Sequence, residues 1–495
     1  MKKRLIGIIT AVALMFSLVA CGGTQETTST NDGKSTNDAA ETKEPVTIRL
    51  VMKDEGPSNP TAVAYFKQLE KDLKENENLD IKIELIDMPE GNYAEKLNLM
   101  LLSKNIPDII YFQGGDKQIA DQGLLEDLTP YIEKSKNIKN IMQPYNTERM
   151  KNYPYLLWIK PLSQKIPVIR KDWFDKMETA DALMKDPSID NYYNFLKELK
   201  TNTPGGEGKP SYGITVAGKL LEIDSIFDMA FGNTTTWLKG EDGKYVYSLV
   251  SDSEKEKLTF YNKLYKEGIL DPEYTTKKWD TKEKAFYDSE VGVISGTSGK
   301  VVDIYDGKMK KANDTSLVVL PPAKGKSQGF GATDVTKETR GIAISALSEN
   351  KEIAFKILDY LASTEGQMLD RLGFENEHYK VVDGKIELTE KAQEWYARFW
   401  EPNEFKPSIP LKSGLLGEPG QKSLESTGEY YKKDINFMIP EEFTAKWDAM
   451  ENLYKEYSAD IITGKKPIND FDKFVQEWYK AGGEEITEYA NENLK

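Results

Sequence analysis

The sequence predicts an α/β fold, in which helices cover a sheet of β-strands. Short apolar segments rich in β-branched residues alternate with longer segments whose apolar residues recur every three or four positions. This alternation is typical of an α/β sheet with helices on it. The chain of 495 residues is also long enough to bury a large apolar core.

The predicted elements follow one another as β-α-β from residue 46 onward. A first strand over 46–52 (VTIRLVM) precedes a turn-rich stretch at 53–60, a helix over 61–75 and a second strand over 81–86. A second amphipathic helix follows, and its apolar stripe is Tyr93, Leu97, Met100 and Leu101. Further strands are predicted at 109–112, 291–294 and 342–344, and a helix follows the last of these.

The N-terminus has the pattern of an export signal. Three basic residues at positions 2–4 precede an apolar run over 5–20, which is shorter than the roughly 20 residues of a spanning helix. Leu18-Val19-Ala20-Cys21 resembles the bacterial lipobox, which implies cleavage before Cys21 and a lipid on its thiol. The alternative is an ordinary signal peptide that is cleaved near an unrelated cysteine.

Residues 21–44 are predicted to be a lipidated, disordered tether. Positions 22–44 contain no large apolar side chain, so they bury too little surface to offset chain entropy. Cys21 is the only cysteine, and a lipidated thiol leaves none for a disulfide.

The chain is acidic. Its formal charge is −15, and loss of residues 1–20, with three basic and no acidic residues, makes it about −18. Such a charge disfavours nucleic acid and anionic lipid as partners. It also disfavours a polyanionic ligand, unless a local basic pocket overrides the net field.

Seven segments of the chain lie, in order, at 93–112, 123–132, 169–177, 267–274, 320–325, 354–373 and 470–489. In sequence and in order they resemble the family 1 extracellular solute-binding proteins of ABC importers, in the branch of large lipoproteins from Gram-positive bacteria. Each is a weak signal alone, but together they span most of the mature chain. Members of this branch mostly serve oligosaccharide uptake.

The resemblance implies a two-lobed, periplasmic-binding-protein-like fold with a hinge and a ligand cleft between the lobes. It assigns 45–166 and 319–370 to lobe 1, and 167–318 and 371–495 to lobe 2. It also implies a monomer without a cofactor, which sits on the extracellular face of the cell membrane and delivers its solute to permease subunits.

Sugar clefts combine aromatic planes for C–H faces with polar groups for hydroxyls. Loops at the carboxyl ends of strands are where open α/β sheets place their ligands. The residues predicted on these grounds to bind ligand are Asp54, Asn59, Gln113, Asp116, Trp158, Arg170, Asp172, Trp173, Trp237, Arg340 and Tyr379. Turn chemistry or core packing is the competing interpretation for each of them.

Two stretches depart from the family pattern. Asn376 stands where the family has glycine, and because asparagine tolerates the left-handed backbone we expect the turn to be kept. At 202–214 the family often has a calcium loop, but Pro204, Gly206 and Pro210 supply no side-chain oxygen. We therefore expect no bound metal.

The sequence gives less support to other classes of protein. A polysaccharide hydrolase would also be acidic and aromatic-rich, but the single histidine, His378, and the absence of a Gly-x-Ser-x-Gly or P-loop motif give catalysis no support. A binding protein for peptides or another small solute stays open. An adhesin is disfavoured because internal repeats are absent.

Overall fold

The computed structural model describes residues 45–88, 93–103, 106–202, 204–206 and 211–494. The predicted signal peptide, Cys21 and the predicted tether lie outside these residues. Pro45–Lys495 forms one compact unit. Within the described residues, no helix has the length and apolar character needed to cross a membrane.

To within three positions at their ends, the five predicted strands are among the fourteen strands that the described residues form. They are β1 (Val46–Val51), β2 (Ile81–Leu85), β3 (Ile109–Gln113), β4 (Lys165–Arg170), β5 (Tyr212–Ile214), β6 (Trp237–Lys239), β7 (Tyr245–Tyr247), β8 (Val291–Thr297), β9 (Leu317–Val319), β10 (Ala332–Thr333), β11 (Arg340–Ile344), β12 (Tyr379–Val382), β13 (Lys385–Leu388) and β14 (Lys432–Lys433).

The α-helices of the described residues connect and cover these strands. They are α1 (Pro60–Glu77), α2 (Tyr93–Leu102), α3 (Asp116–Asp121), α4 (Thr129–Lys134), α5 (Ile138–Ile141), α6 (Pro144–Asn152), α7 (Lys171–Phe174), α8 (Ala180–Lys185), α9 (Ile189–Thr201), α10 (Leu221–Phe231), α11 (Asp252–Lys266), α12 (Trp279–Tyr287), α13 (Lys300–Asn313), α14 (Lys351–Tyr360), α15 (Thr364–Gln367), α16 (Glu418–Tyr430), α17 (Thr444–Thr463), α18 (Asp470–Trp478) and α19 (Glu484–Asn493).

The first lobe is built on a four-stranded sheet with the order β11-β3-β1-β2. β1 runs parallel to β2 and β3, whereas β11 runs antiparallel to β3. Ile48 and Leu50 of β1 are buried and pack with Phe66 and Leu69 of α1. The three- to four-residue spacing along α1 therefore reflects its buried face, as the sequence predicted.

The second lobe is built on another four-stranded sheet, with the order β5-β8-β4-β9. β8 is parallel to β5 and antiparallel to β4, which is in turn antiparallel to β9. A separate apolar core covers this sheet and includes Ile169, Ile214 and Val293. Two sheets with separate cores agree with the predicted α/β, two-lobed fold.

The C-terminal part of the chain packs against both lobes. Met450, Ile461 and Trp478 lie in the core of the second lobe. Trp395 and Trp400 instead lie in the core of the first lobe. The family resemblance assigned all of 371–495 to the second lobe. Two isolated tryptophans carry no periodic signal that would indicate packing against the first sheet.

Candidate functional site

A cleft opens where strand ends of the first sheet face strand ends of the second. In the first sheet Gln113, the last residue of β3, pairs with Arg340, the first residue of β11. In the second sheet Thr297, the last residue of β8, pairs with Lys165, the first residue of β4. Side chains from both lobes line a cavity of about 610 Å³ there.

The first-lobe wall of the cleft is aromatic. The rings of Tyr111 and Trp158 lie 5.9 Å apart between centroids and are inclined by 31°. The guanidinium of Arg340 and the ammonium of Lys160 lie 5.6 Å and 5.1 Å from the Trp158 ring centroid. A half-buried indole flanked by cations offers a flat surface for stacking.

The second-lobe wall carries Trp279 at the start of α12. Its side chain is 39% exposed, which makes it one of the more exposed large apolar residues described. The ammonium of Lys165 lies 4.7 Å from its ring centroid and also donates to the Thr297 hydroxyl at 2.9 Å. Lys282 approaches the same ring at 3.6 Å. The cleft thus has an aromatic face on each wall.

Charged groups on the cleft are mostly paired. Arg340 forms a fork with Glu338, with Nε–Oε1 and Nη2–Oε2 distances of 3.0 Å and 2.8 Å. Lys160 Nζ lies 2.9 Å from Glu401 Oε1. Burial opposes ionisation of both carboxyl groups, but these cations hold the pKa of Glu338 and the pKa of Glu401 below their ordinary values.

A buried arginine fixes the backbone beside the cleft. Arg149 on α6 is 2% exposed and donates to the carbonyls of Glu338 and Arg340, and also to that of Leu156. Burial lowers the pKa of Arg149 to about 10. These contacts position the strand that presents Arg340.

Three residues predicted to bind ligand line the cleft together: Asp54, Trp158 and Arg340. Asp54 has a left-handed backbone with φ of 63°, and its side chain is exposed. Its carbonyl accepts from the amide of Asn59 at 2.9 Å. Asn59 itself caps α1, accepting from the backbone amides of Thr61 and Ala62.

Gln113 and Asp116 follow β3, but neither lines the cavity. The Gln113 amide donates to the Tyr111 hydroxyl at 3.1 Å. Asp116 is 1% exposed and accepts from the Tyr155 hydroxyl at 3.1 Å. Burial raises the pKa of Asp116. Both residues therefore support the first-lobe wall from outside the cavity.

Arg170, Asp172 and Trp173 lie away from the cleft. Arg170 forms a fork with Asp172 at 2.7 Å and 2.8 Å, and Trp173 is 2% exposed in the second-lobe core. The reason is strand direction. β4 is antiparallel to β8, so its amino end, Lys165, meets the cleft edge and its carboxyl end lies at the opposite edge.

Trp237 and Tyr379 also lie outside the cleft. Trp237 is fully buried and stacks on Phe437 at a centroid distance of 5.5 Å. Tyr379 is 9% exposed and packs in a small apolar cluster with Leu372 and Ile386. Nearby, Asn376 has φ of 65°, which confirms the left-handed turn expected there.

The sequence did not single out Tyr111 and Trp279, which line the cleft, or Lys165, which contacts Trp279 and Thr297 beside it. Tyr111 lies within a strand, where side chains are usually core, and Trp279 starts a helix after a charged loop. Knowledge that β4 runs antiparallel would have pointed to Lys165. For metals, the described residues contain no group of three or more His, Cys, Asp or Glu side chains that could hold an ion. Residues 203 and 207–210 of the predicted degenerate loop lie outside them.

Two α/β lobes with an aromatic, charged cleft between them define a binding protein for small solutes. The chain belongs to the bacterial extracellular solute-binding protein family, whose model matches residues 56–368. This confirms the family suggested by the seven segments.

Two relatives of similar length support that membership, and a solved structure has a similar fold. Lipoprotein LipO of Bacillus subtilis is 23% identical over 92% of this chain and 94% of its own. The polygalacturonan/rhamnogalacturonan-binding protein YtcQ of the same organism is 21% identical over 100% of this chain and 99% of its own. The N-glycan transport solute-binding protein NgtS of Streptococcus pneumoniae has a similar fold, with a TM-score of 0.66 at 16% identity over 90% of this chain and 97% of its own.

Proposed function

We propose that this protein captures an oligosaccharide in the cleft between its lobes and delivers it to the permease of an ABC importer. The observation that carries the proposal is the pair of aromatic surfaces, Tyr111 with Trp158 on one wall and Trp279 on the other. Sugar rings stack their C–H faces on such surfaces, and their hydroxyls bind the charged groups between them.

The names of relatives favour carbohydrate over other solutes. YtcQ is named for binding pectic polysaccharides, and NgtS for transport of N-glycans. A cavity of about 610 Å³ accommodates a ligand larger than a monosaccharide. Peptides and other small solutes are the alternative ligands. Two aromatic walls are less specific for them than for sugar rings, whose C–H faces stack on such surfaces.

The residues proposed to contact the sugar are those that line the cleft from the predicted set, Asp54, Trp158 and Arg340. Tyr111 and Trp279 join them as stacking surfaces. Because Arg340 is held by Glu338, it presents its remaining donors in a fixed direction.

Capture proceeds by closure of the cleft. The sugar binds one wall first, and the second lobe then rotates about the crossing segments to add its contacts, which shifts an open–closed equilibrium. In this proposal residues 45–166 and 319–370 move as the first lobe together with the segment around Trp395 and Trp400, whose tryptophans pack in its core. The closed form is the one that the permease recognises.

The protein acts as a monomer at the outer face of the cell membrane. Its anchor is a lipid on Cys21, and residues 22–44 are the tether that gives the folded part its reach. LipO, which carries "lipoprotein" in its name, supports this arrangement.

No catalysis is proposed. A glycosidase needs a carboxylic acid whose pKa is raised so that it can protonate the leaving oxygen. In this cleft Glu338 and Glu401 have lowered pKa values because Arg340 and Lys160 bind them. That favours binding over hydrolysis.

Thermal unfolding of residues 45–495 with a panel of neutral and acidic oligosaccharides, and of peptides, tests this function. A ligand at a hundred times its Kd stabilises the folded state by about 2.7 kcal/mol, so one saccharide class raises the midpoint and is recovered intact by chromatography. A shift with peptides alone contradicts the carbohydrate assignment. Cleavage of the saccharide establishes the hydrolase instead.

A further inference from the structure

Lys165 lies beside the cleft, on the lining residues Thr297 and Trp279, and has no carboxylate partner among the described side chains. Lys160 pairs with Glu401, Lys300 with Asp303 and Arg340 with Glu338. The ammonium of Lys165 instead donates to the neutral hydroxyl of Thr297 and lies over the Trp279 ring. Within the part of the chain that the structure describes, no acidic side chain forms an ion pair with it.

We propose that Lys165 is the carboxylate-recognition residue of this cleft, and that the oligosaccharide is an acidic one containing a uronate. The inference rests on the proposed carbohydrate function and adds the class of sugar. In the bound state the uronate carboxylate accepts a hydrogen bond from the Lys165 ammonium, while the C–H face of a sugar ring stacks on Trp279.

The chemistry of one ammonium favours a carboxylate ligand. An ammonium has three donors, and the Thr297 hydroxyl takes one of them. A partly buried cation is costly without a counter-ion, and a bound carboxylate supplies that counter-ion. Arg340 and Lys160, the cations over the Trp158 ring, already have their carboxylates in Glu338 and Glu401.

The acidic net charge of the protein does not oppose such a ligand. The formal charge of −15 is spread over the whole chain, whereas the cleft carboxylates Glu338 and Glu401 are paired with Arg340 and Lys160. Lys165, beside the cleft and without an acidic partner in the described part of the chain, is the local positive charge that would let an anionic sugar bind an acidic protein.

The protonation of Lys165 makes the interaction dependent on pH. Burial lowers the pKa of Lys165 to about 8; Glu222 opposes this shift, and Lys282 and Arg340 add to it. Glu222 is itself bound by Lys282 at 2.6 Å. A carboxylate ligand binds the protonated ammonium, so its affinity falls as pH rises past 8.

Calorimetric titration of the purified protein at pH 7 with trigalacturonate and with its methyl ester tests this role. The wild-type protein is expected to bind the acid at least tenfold more tightly than the ester. Lys165→Met loses that preference, whereas Lys134→Met, an exposed lysine of α4 outside the cleft, keeps it.

The variant Lys165→Arg distinguishes an effect of charge on ligand affinity from an effect of misfolding. Lys165→Arg keeps a cation whose pKa lies far above 9.5, so its affinity for trigalacturonate stays level between pH 7 and pH 9.5. Wild-type affinity falls tenfold or more over that range. An acid preference that survives in Lys165→Met, or equal binding of acid and ester by the wild type, overturns the role of Lys165. If the wild type binds only neutral oligosaccharides, this inference fails and the carbohydrate function stands; if it binds neither kind, both fail.

Discussion

Arg149 donates to the carbonyl of Glu338 from two atoms of its guanidinium, Nε at 3.0 Å and Nη2 at 2.6 Å. The same guanidinium donates to the carbonyl of Arg340 at 2.7 Å. One buried side chain on α6 therefore fixes the backbone on both sides of the residue that starts β11. The direction of Arg340 in the cleft therefore depends on Arg149, which itself adjoins the cavity.

Arg149→Met is expected to lower the free energy of unfolding by about 2 to 4 kcal/mol, because it leaves buried carbonyls without donors. Denaturation in urea measures this. Lys151→Met, on the same helix but exposed, is the control and is expected to change the free energy of unfolding by less than about 0.5 kcal/mol. A loss below about 1 kcal/mol for Arg149→Met contradicts the bracing role.

Lys165→Met is expected to stabilise the protein at pH 7. The folded state lowers the pKa of Lys165 from 10.5 to about 8, so charging this residue opposes folding at every pH below 8. Lys165→Met is therefore expected to raise the free energy of unfolding by between about 1 and 3 kcal/mol. This increase in the free energy of unfolding becomes smaller as pH rises from 8. It is absent above pH 10.5, where Lys165 is neutral in both the folded and the unfolded state.

Urea denaturation of the wild type and of Lys165→Met at pH 7 and pH 9.5 measures this difference in the free energy of unfolding. Lys134→Met is the control and is expected to show no such trend. A variant less stable than the wild type at pH 7 means that Lys165 is a structural residue, which contradicts its role as an uncompensated cation.

Substitution of Trp237 is expected to change stability, whereas substitution of Trp279 is expected to change ligand affinity. Trp237→Ala removes a fully buried indole and lowers the free energy of unfolding by about 3 to 5 kcal/mol. Trp279→Ala removes a partly exposed one, and we expect it to change stability little and ligand affinity strongly. Thermal unfolding with and without ligand measures both, and equal destabilisation by the two changes refutes the assignment of Trp279 to the cleft.

Cys21→Ser is expected to move the protein from the membrane fraction to the medium, because the thiol that carries the lipid is lost. Fractionation of intact cells followed by immunoblotting measures the distribution, with Thr27→Ala as a control in the same segment. Retention of the serine variant in the membrane fraction refutes lipid anchoring.

The sequence predicted the elements of the first sheet closely, because β1, β2 and β3 alternate with helices of clear apolar periodicity. It placed Asp54, Trp158 and Arg340 in the candidate site, since each adjoins a strand end or the crossing between lobes. It misplaced Arg170 and Trp173 because the direction of β4 depends on its pairing with β8, and pairing leaves no local signal.

The sequence also could not distinguish aromatic residues of the core from those of the cleft. Trp237, Trp279 and Trp158 all precede or follow polar loops, and only tertiary packing makes the first a core residue and the other two parts of a cleft wall. The return of Trp395 and Trp400 to the first lobe had the same cause.

Calorimetric titration of Trp158→Ala and Trp279→Ala with the oligosaccharide found by thermal unfolding tests the central claim most directly. Each loss of a stacking surface is expected to weaken binding by about tenfold to a hundredfold. Trp447→Ala, a half-buried tryptophan of the second lobe that packs on Tyr247 outside the cleft, is the control and is expected to retain full affinity. Affinities of Trp158→Ala and Trp279→Ala equal to that of the wild type would contradict sugar capture between the two aromatic walls.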